Sequence, residues 1–420
     1  MSRRVFITGA GLISSLGDSS AQLHSALCAG RSGIGAIRSF TATGLNCYLA
    51  AEIKSFQAEK YLGRINLRPL DRTSRLAASA ARLALDDSGW SAEKVEQEEV
   101  GLVLGTMFGS LHTISEFDRR ILDAGPAYVS PMDFANTVIN AAAGQTAIVH
   151  KLHGVNSTIS TGPTSGLQAI AYATDLIRSG RTKAVLAGGA EELCFQSFYN
   201  FDCAGLLCAS NHGHGATPFE ATRNGFVLGE GAALLMFEDE ASARKRGARV
   251  LAEIVGHASS YDSSCESEES NSIDVIARTM DLALSDADTA PSEIDGISAS
   301  ANGSVVEDRR EAQAVARVFS ARAQSIPVTA IKSMLGETLG ASGALQLASM
   351  IETMRDGVLP GVAGLERLEP DFPLQKATSG NQRIDVRVGL VNCIGFDGQC
   401  CSLVVARHDR SIDHLRSKPR

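Results

Sequence analysis

The chain has 420 residues, of which 44% are hydrophobic and 20% are charged, and its formal net charge is −8 at pH 7. This composition is normal for a globular protein, and a chain with this charge is not expected to bind nucleic acid or anionic membranes in general. The length allows two ordinary domains or one large duplicated domain.

Neither a membrane span nor a metal site is indicated. The sequence has no run of about 18 apolar residues, which a membrane-spanning helix needs, and its N-terminus lacks the apolar core of a secretion signal. Its nine cysteines include no CxxC pair, and the His212-Gly213-His214 segment has no nearby carboxylate or cysteine to complete a metal site. We therefore expect a cytoplasmic protein without metal or cofactor.

The first predicted element is a short buried strand over Val5–Thr8, followed by Gly9-Ala10-Gly11. We expect these glycines to let the chain turn tightly out of the strand. A dinucleotide-binding fingerprint would need a further glycine where Ser14 stands, together with an acidic residue about twenty positions later at a strand end. Both are missing, so a nucleotide site is rejected.

Strands and helices then alternate along the chain. An apolar stripe predicts a helix over Arg72–Ser88. The predicted strands after it are Val100–Leu104, Ala184–Ala187, Ala233–Phe237 and Arg249–Val255. This alternation is typical of α/β layers around a largely buried sheet.

Two helical stretches of equal length resemble each other. The first begins at Ser165-Gly166 and closes at Arg178-Ser179-Gly180, and the second begins at Ser342-Gly343 and closes at Arg355-Asp356-Gly357. Small residues at a helix start allow close packing, and the terminal glycine suits a C-cap. The pattern predicts an internal duplication with both helices buried at the centre; the alternative is two unrelated core helices.

Six segments occur in the order and near the spacing of one family. They are RRVFITGAGLISSLG, SPMDFANTVINAAAGQTAIVHKLHGVNSTIS, AVLAGGAEE, ATPFEATRNGFVLGEGAALLMFEDEASARKRGARVLAEIVG, IKSMLGETLGASGAL and VNCIGFDGQ. Together they resemble the β-ketoacyl-acyl-carrier-protein synthases. The resemblance implies a dimeric, thiolase-like α/β fold whose duplicated βαβαβαββ halves form five layers (α-β-α-β-α). We expect an N-terminal half over 1–250 with cap and dimer insertions, a C-terminal half over 251–408 and a polar tail over 409–420.

The resemblance also implies a reaction that uses one cysteine and two histidines. The cysteine belongs in a turn that here has the sequence Thr-Gly-Pro-Thr-Ser-Gly, with Pro163 in the cysteine's place. Proline suits the first position of a helix, because its missing N–H would have no partner there, but it cannot form an acyl thioester. A serine or threonine of this turn could attack only with a partner base, and none of the remaining histidines falls in a catalytic motif of the family.

Both histidine positions hold other residues. In the segment ISASANGS, Asn302 stands where the family has the histidine of a His-Gly-Thr motif. In the segment KSMLGE, Lys332 is retained and Glu337 replaces the second histidine. By this resemblance the nucleophile and both imidazoles are lost, and no catalytic residue is intact.

A member of this family without these residues resembles the chain-length factor of type II polyketide synthases. That subunit forms a heterodimer with an active ketosynthase and shapes the tunnel for the growing chain. By the resemblance, the tunnel residues are Leu111, Ile114 and Asp118, Phe396 is a gating phenylalanine, and Phe134 belongs to the dimer contact. The alternative is that the two apolar tunnel residues only pack the dimer interface, and the two roles can coincide.

We therefore predict a non-condensing subunit that acts with an active ketosynthase and an acyl carrier protein. Because Pro163 departs from the glutamine of aromatic-polyketide chain-length factors, polyene or aryl polyene biosynthesis is the expected branch. The alternatives are a malonyl-carrier-protein decarboxylase or unconventional acyltransferase, and a homodimeric carrier-binding pseudoenzyme. An acidic carrier protein would need a basic patch, for which the run Arg244, Lys245, Arg246 and Arg249 is a candidate unless it only forms a solvated helix face.

Overall fold

The computed structural model describes residues 3–91, 93, 100–209, 215–265 and 272–408. Its main sheet contains β1 (Val5–Ser14), β2 (Gly101–Gly105), β3 (Asn156–Ile159), β4 (Ala184–Glu191), β5 (Gly231–Asp239), β6 (Ala252–Tyr261), β7 (Gly296–Ser298), β8 (Val328–Thr329), β9 (Val388–Ile394) and β10 (Gln399–Ala406). The longer helices are α1 (Ser20–Cys28), α2 (Arg72–Ser88), α3 (Leu111–Ala124), α4 (Ala141–His150), α5 (Ser165–Arg178), α6 (Phe195–Cys203), α7 (Glu240–Lys245), α8 (Ser272–Asp286), α9 (Val305–Phe319) and α10 (Ser342–Asp356).

Shorter elements connect these. Single helical turns lie at Glu59–Leu62, Pro126–Tyr128, Pro131–Phe134, Pro291–Glu293, Ser320–Gln324, Lys332–Leu335 and Leu339–Ala341. Two small sheets are formed by Gly35–Ala36, Leu49–Ala51 and Leu228–Gly229, and by Val358–Leu359 with Gln382–Arg383.

The main sheet repeats one pattern twice. Its strand order is β8-β7-β9-β10-β6-β1-β5-β4-β2-β3. In the first half, β3, β2 and β4 are parallel, while β5 is antiparallel to both β4 and β1. The second half has the same arrangement, with parallel β8, β7 and β9 and with β10 antiparallel to both β9 and β6. A short antiparallel contact between β1 and β6 joins the halves, so the duplication predicted from the two similar helices is confirmed.

The helices lie in three layers. Helices α5 and α10 contact each other and strands of both halves, so they lie between them. Helix α2 covers the outer face of β1 and β5, with α4 packed beside it. Helix α8 covers β6 and β10 on the opposite side, with α9 packed against α8. The resulting α-β-α-β-α arrangement is the expected thiolase-like fold.

Each central strand is buried on both faces, which explains the continuous apolar runs in the sequence. In β2, Val103 faces the central layer, while Leu102 and Leu104 face α2 and its neighbours. In β9, Val391 faces the central layer and Leu390 faces the layer of α8. The period of two along each strand therefore divides its side chains between two different cores.

The predicted strand at the N-terminus is too short, and the role expected for its glycines is wrong. Strand β1 continues through Gly9 and Gly11 to Ser14 instead of turning after Thr8. A Cβ atom on Gly11 would lie 2.2 Å from the Ala80 carbonyl oxygen of α2. The glycines are required because the backbone of α2 lies directly against the strand.

The other predicted elements are present, most of them with shifted bounds. Helix α2 has the predicted bounds, β4 and β5 are longer than predicted, and the predicted strand from Arg249 begins only at Ala252 and continues to Tyr261. In the described part of the chain, no helix combines the length and apolar composition needed to cross a bilayer.

The two halves approach each other most closely at Gly340. Its carbonyl oxygen would lie 1.9 Å from a Cβ atom on Gly189 and 2.3 Å from one on Gly166. Gly166 is at the start of α5, and Gly340 is in the turn before α10. Glycine at these positions therefore lets the starts of the two central helices meet backbone to backbone.

We expect Gly189→Ala to lower the free energy of unfolding by about 1–3 kcal/mol or more, because the methyl group has no space beside a backbone carbonyl. Gly380→Ala is the matched control: Gly380 has open space where its Cβ would stand, and its change should stay within about 0.5 kcal/mol. Chemical denaturation followed by circular dichroism measures both. Equal stabilities of the two variants would contradict the close contact.

Candidate functional site

Pro163 lies in the buried turn between β3 and α5. The side chains around it close the turn. Thr164 Oγ1 donates to the Thr161 carbonyl oxygen at 2.6 Å, and the Thr161 N–H donates to Ser165 Oγ at 2.9 Å. Ser160 Oγ donates to the Met107 carbonyl oxygen. The hydroxyl groups near Pro163 are thus engaged with the backbone and have no imidazole partner among these bonds.

A cysteine that sequence reasoning did not single out lies against this turn. Cys393 Sγ on β9 donates to the Pro163 carbonyl oxygen at 3.3 Å. Burial raises the pKa of this thiol to about 12, although the Lys332 ammonium acts in the opposite direction. The thiol is therefore protonated at neutral pH and is not a thiolate nucleophile. No local pattern in β9 predicts the contact between Cys393 and Pro163, because the two residues are 230 positions apart in the sequence.

Lys332 and Glu337 form a buried ion pair. Lys332 Nζ lies 2.8 Å from Glu337 Oε2, and their side chains are only 2% and 1% exposed. Burial alone would lower the pKa of the Lys332 ammonium, but the neighbouring carboxylates, above all Glu337, outweigh it and raise the pKa. The other carboxylate oxygen of Glu337 accepts the Ser342 hydroxyl at 2.6 Å and the Leu339 N–H at 3.0 Å. This carboxylate is therefore held by both the lysine and the start of α10.

Asn302 completes the same network. Its Nδ2 donates to Glu337 Oε2 at 2.9 Å, and its Oδ1 accepts the Ser304 N–H at 3.0 Å. The structure thus brings together Asn302, Lys332 and Glu337, three of the predicted site residues, by direct hydrogen bonds. Pro163 takes no part in these bonds. Its carbonyl oxygen accepts the Cys393 thiol, whose pKa responds to the charges of both Lys332 and Glu337.

Two further buried carboxylates hold the backbone around Asn302. Glu311 accepts the N–H groups of Ser300 and Ala301, each at 2.9 Å. Asp308 accepts the Asn302 N–H at 3.0 Å. Burial raises the pKa of Glu311 to about 7 and that of Asp308 to about 6. The backbone hydrogen bonds lower both pKa values, but by less than burial raises them. Both carboxylates lie on α9 and fix the strand end that carries Asn302.

Phe396 packs in an aromatic cluster that sequence reasoning did not predict. Its ring centroid is 5.2 Å from that of Phe201 and 6.3 Å from that of Phe226, and Phe108 packs against Phe201 at 6.1 Å. The next residue, Asp397, directs its carboxylate towards Gly162 in the turn beside Pro163. The loop that carries the predicted gating phenylalanine is therefore in contact both with the aromatic cluster and with the turn beside Pro163.

The predicted tunnel residues lie on α3. Leu111 and Ile114 are half-buried in the first turn of this helix, whereas Asp118 is exposed. Phe117 of the same helix packs against Phe134, with ring centroids 6.0 Å apart. Phe134 itself is 61% exposed, which is unusual for a phenylalanine unless another surface covers it.

Exposed apolar side chains are concentrated on the segments around Phe134. They belong to α3, the turns that follow it and α4: Leu122, Tyr128, Met132, Phe134, Val138, Ile139 and Ile148. Strand β3 follows α4 and is an edge of the main sheet. An edge strand presents backbone N–H and C=O groups without a sheet partner on one side. We call this region, including β3, the apolar edge surface.

The arginines of the basic run are paired within the chain. Arg244 pairs with Glu240 and Arg249 with Asp87, while Arg246, whose side chain is only 15% exposed, pairs with the buried Glu238. This pairing leaves less of the run to serve as a docking patch. Among the described residues no cluster of three potential ligands suits a metal ion. The His212-Gly213-His214 segment lies outside the described residues.

We expect Glu337→Ala to lower the free energy of unfolding by about 3–5 kcal/mol, because Lys332 would remain buried without its counterion. The double variant Lys332→Met/Glu337→Leu should lose less than either single variant, since an apolar pair leaves no unpaired charge. Denaturation of the purified protein measures both. A Glu337→Ala variant as stable as the parent would contradict the ion pair.

Two family models match the chain. The β-ketoacyl synthase N-terminal domain matches residues 2–243, and the β-ketoacyl synthase C-terminal domain matches residues 251–366. Among solved structures, the ishigamide ketosynthase/chain length factor superposes with a TM-score of 0.89 at 31% identity, over 97% of this chain and all of the other. A chain of AntDE:AntF, the structure of a type II polyketide synthase acyl-carrier protein in complex with its ketosynthase, superposes with a TM-score of 0.88 at 26% identity, with the same coverage.

Curated relatives cover nearly the whole chain as well. The 3-oxoacyl-[acyl-carrier-protein] synthase 2 of Coxiella burnetii is 31% identical over 96% of this chain and 99% of its own. The alpha and beta subunits of the tetracenomycin polyketide synthase ketoacyl synthase of Streptomyces glaucescens are 31% and 32% identical, over 96% of this chain and 97% and 98% of their own. On this fold and these matches, the chain belongs to the β-ketoacyl synthase family.

Proposed function

We propose that this chain is a non-condensing, chain-length-factor-like subunit that pairs with an active ketosynthase and shapes its acyl tunnel. The observation that carries the proposal is the buried network of Asn302, Lys332 and Glu337. Asn302 and Glu337 stand at the predicted histidine positions, and Glu337 accepts hydrogen bonds from both Asn302 and the retained Lys332. Pro163 stands at the predicted cysteine position. The proposed product class is a type II polyketide, with a polyene or aryl polyene as the narrower expectation.

The chemistry of these side chains argues against condensation by the chain itself. Proline has no nucleophilic group, and the nearest thiol, Cys393, is buried and protonated at neutral pH. The Glu337 carboxylate accepts four donors, including the Lys332 ammonium, so it is not available to take up a proton from a substrate. At the predicted catalytic positions, the described residues therefore include no side chain that could form an acyl thioester and no imidazole that could stabilise an enolate.

The relatives support the family role but do not separate its two kinds of subunit. The tetracenomycin alpha and beta subunits are almost equally similar to this chain, so overall identity does not distinguish an active synthase from its partner. The individual residues carry that distinction. The names of the ishigamide and tetracenomycin proteins support a partnership of two synthase-like chains.

The apolar edge surface supports pairing with a second chain of the same fold. Its exposed apolar side chains lie beside an edge strand, and a partner could cover the former while extending the sheet through the latter. Leu111 and Ile114 lie in the first turn of α3, the helix that contributes Leu122 to this surface. We therefore propose that a ketosynthase binds here and that the two side chains limit the space for its growing acyl chain. The neighbour that contains a carrier protein supports an acyl carrier protein as the second partner.

We expect co-expression with an intact Cys-His-His ketosynthase to give a stable one-to-one complex, and carrier-protein-dependent assays to give products of defined length. Leu111→Ala should shift the main product to a longer chain, and Ile114→Phe to a shorter one, because each methylene accommodated is worth about 0.8 kcal/mol of burial. Mass spectrometry of the released acyl chains measures the shift.

The control for these gate variants is Asp123→Asn, an exposed change on the same helix, which should leave product length unchanged. A homodimer that releases CO2 from malonyl carrier protein would instead support a decarboxylase. A homodimer that binds the carrier without turnover would support a carrier-binding pseudoenzyme.

Phe134→Asp should weaken the complex with the ketosynthase at least tenfold, or by about 1.4 kcal/mol, because it would bury a charge among apolar side chains. Leu282→Asp is the control, since Leu282 is also exposed but lies on α8 in the opposite outer layer. Analytical ultracentrifugation measures both. Equal affinities of the two variants would move the interface away from the apolar edge surface.

A further inference from the structure

Strand β4 ends in two consecutive buried carboxylates, Glu191 and Glu192. Glu191 is 1% exposed and Glu192 is 5% exposed. Among the described residues, neither carboxylate forms an ion pair. Buried carboxylates without a counterion are rare unless hydrogen bonds hold them. Here the donors are backbone N–H groups of the segment that leads into α3.

Glu191 binds the chain just before α3. It accepts the Met107 N–H at 2.6 Å, the Phe108 N–H at 2.9 Å and the Thr106 hydroxyl at 3.2 Å. It also accepts the Gly340 N–H at 3.2 Å from the second half of the fold. This side chain therefore ties the approach to α3 to the point where the two halves meet.

Glu192 binds the first turn of α3 itself. Its Oε1 accepts the His112 N–H at 3.1 Å. The residue that precedes the helix, Ser110, makes no side-chain cap, and its buried hydroxyl has no hydrogen-bond partner. The initial N–H groups of a helix need acceptors from outside the helix, and Glu192 supplies one from a different strand.

The hydrogen bond from the His112 N–H to Glu192 matters because α3 makes few other buried contacts. None of the residues of α3 is fully buried, and it packs mainly on the turn that follows it, on α6 and on the short turn at Pro131–Phe134. Leu111 and Ile114 flank His112 in the first turn. The position of that turn fixes both side chains together, since residues three apart share one face.

We propose that Glu192, supported by Glu191, is a positioning residue that sets the location of Leu111 and Ile114 and thereby the length selected by the tunnel. This inference rests on the proposed chain-length role. It adds the carboxylate that positions Leu111 and Ile114. Both side chains lie on α3, which has no fully buried residue.

The electrostatics around Glu192 make its anchor sensitive to pH. Burial, and then repulsion by Asp71, raise the pKa of Glu192 to about 8, while burial raises that of Glu191 to about 7. On the other faces lie Arg72, which pairs with Glu230, the thiol of Cys194, and His112 and Glu116 of α3. Because the folded pKa values are raised, the fold favours the protonated acids, and this arrangement loses stability as the pH rises through about 7 to 8.

The test uses the complete complex with its ketosynthase and compares Glu192→Ala with Glu192→Gln. Glutamine keeps a carbonyl oxygen for the His112 N–H and resembles the protonated acid, whereas alanine removes the acceptor. We expect Glu192→Ala to give a several-fold increase in off-length products and Glu192→Gln to retain the parent's distribution. The free energy of unfolding of the parent should fall as the pH rises to about 8, and that of Glu192→Gln should fall less, because glutamine does not ionise.

Hydrogen exchange supplies a readout that does not depend on product formation. The first turn of α3 should exchange faster in Glu192→Ala than in the parent or in Glu192→Gln. Asp123→Asn is the matched control, because Asp123 is exposed near the C-terminal end of the same helix; it should change neither readout.

The outcomes separate the two proposals. If Leu111→Ala shifts product length but Glu192→Ala changes neither product nor exchange, the positioning role is overturned and the chain-length role stands. If Leu111→Ala has no effect while Glu192→Ala still accelerates exchange, the chain-length role fails and Glu192 is only a structural cap. If Glu192→Gln behaves like Glu192→Ala, the carbonyl acceptor is not the feature that matters, and the inference is wrong.

Discussion

The carbonyl oxygen of Gly340 lies against Gly166 and Gly189, in a space that any side chain would fill. This close approach brings the starts of α5 and α10 together, and most of the site is built around it. The Gly340 N–H binds Glu191, and Glu337 stands three residues before it, in the turn that leads to α10. A duplicated fold thereby presents two helix starts to one another, and residues far apart in the chain meet at their junction.

On the proposed function, the same junction keeps the architecture of the family's site while its chemistry changes. Pro163 suits the start of a helix, so the turn survives without a nucleophile. Asn302, Lys332 and Glu337 satisfy one another by hydrogen bonds inside the protein. A buried ion pair contributes little net stability compared with an apolar pair, but it penalises the loss of either partner. We infer that this network preserves the shape of the centre rather than its reactivity.

The outer part of the first half of the fold, which contains α3, is packed differently from the centre. The central helices are buried on nearly every face, whereas α3 has no fully buried residue and forms part of the apolar edge surface. Local stability follows buried contacts, so we expect α3 to be less stable than the central helices. Its N-terminal turn is nevertheless fixed to the core by the carboxylates at the end of β4. A rigid centre and a weakly packed helix therefore meet at Glu191 and Glu192.

Local patterns in the sequence determined much of the fold. The apolar period of α2 gave its bounds, and the two similar helical stretches revealed the duplication, because spacing and capping act within a few residues. The ordered motifs also indicated Pro163, Asn302 and Glu337. The glycines of β1 were misjudged, since the helix that requires them begins more than sixty residues later.

Only the tertiary structure decided which of these residues touch. The bond between Asn302 and Glu337 joins positions 35 apart, the contact of Cys393 with Pro163 joins positions 230 apart, and Glu192 reaches a helix 80 positions before it. A buried glutamate at the end of an apolar strand carries no periodic signal of its own. Its role depends on which N–H groups the folded chain brings within hydrogen-bond distance, and that is a property of packing between elements rather than of any local pattern.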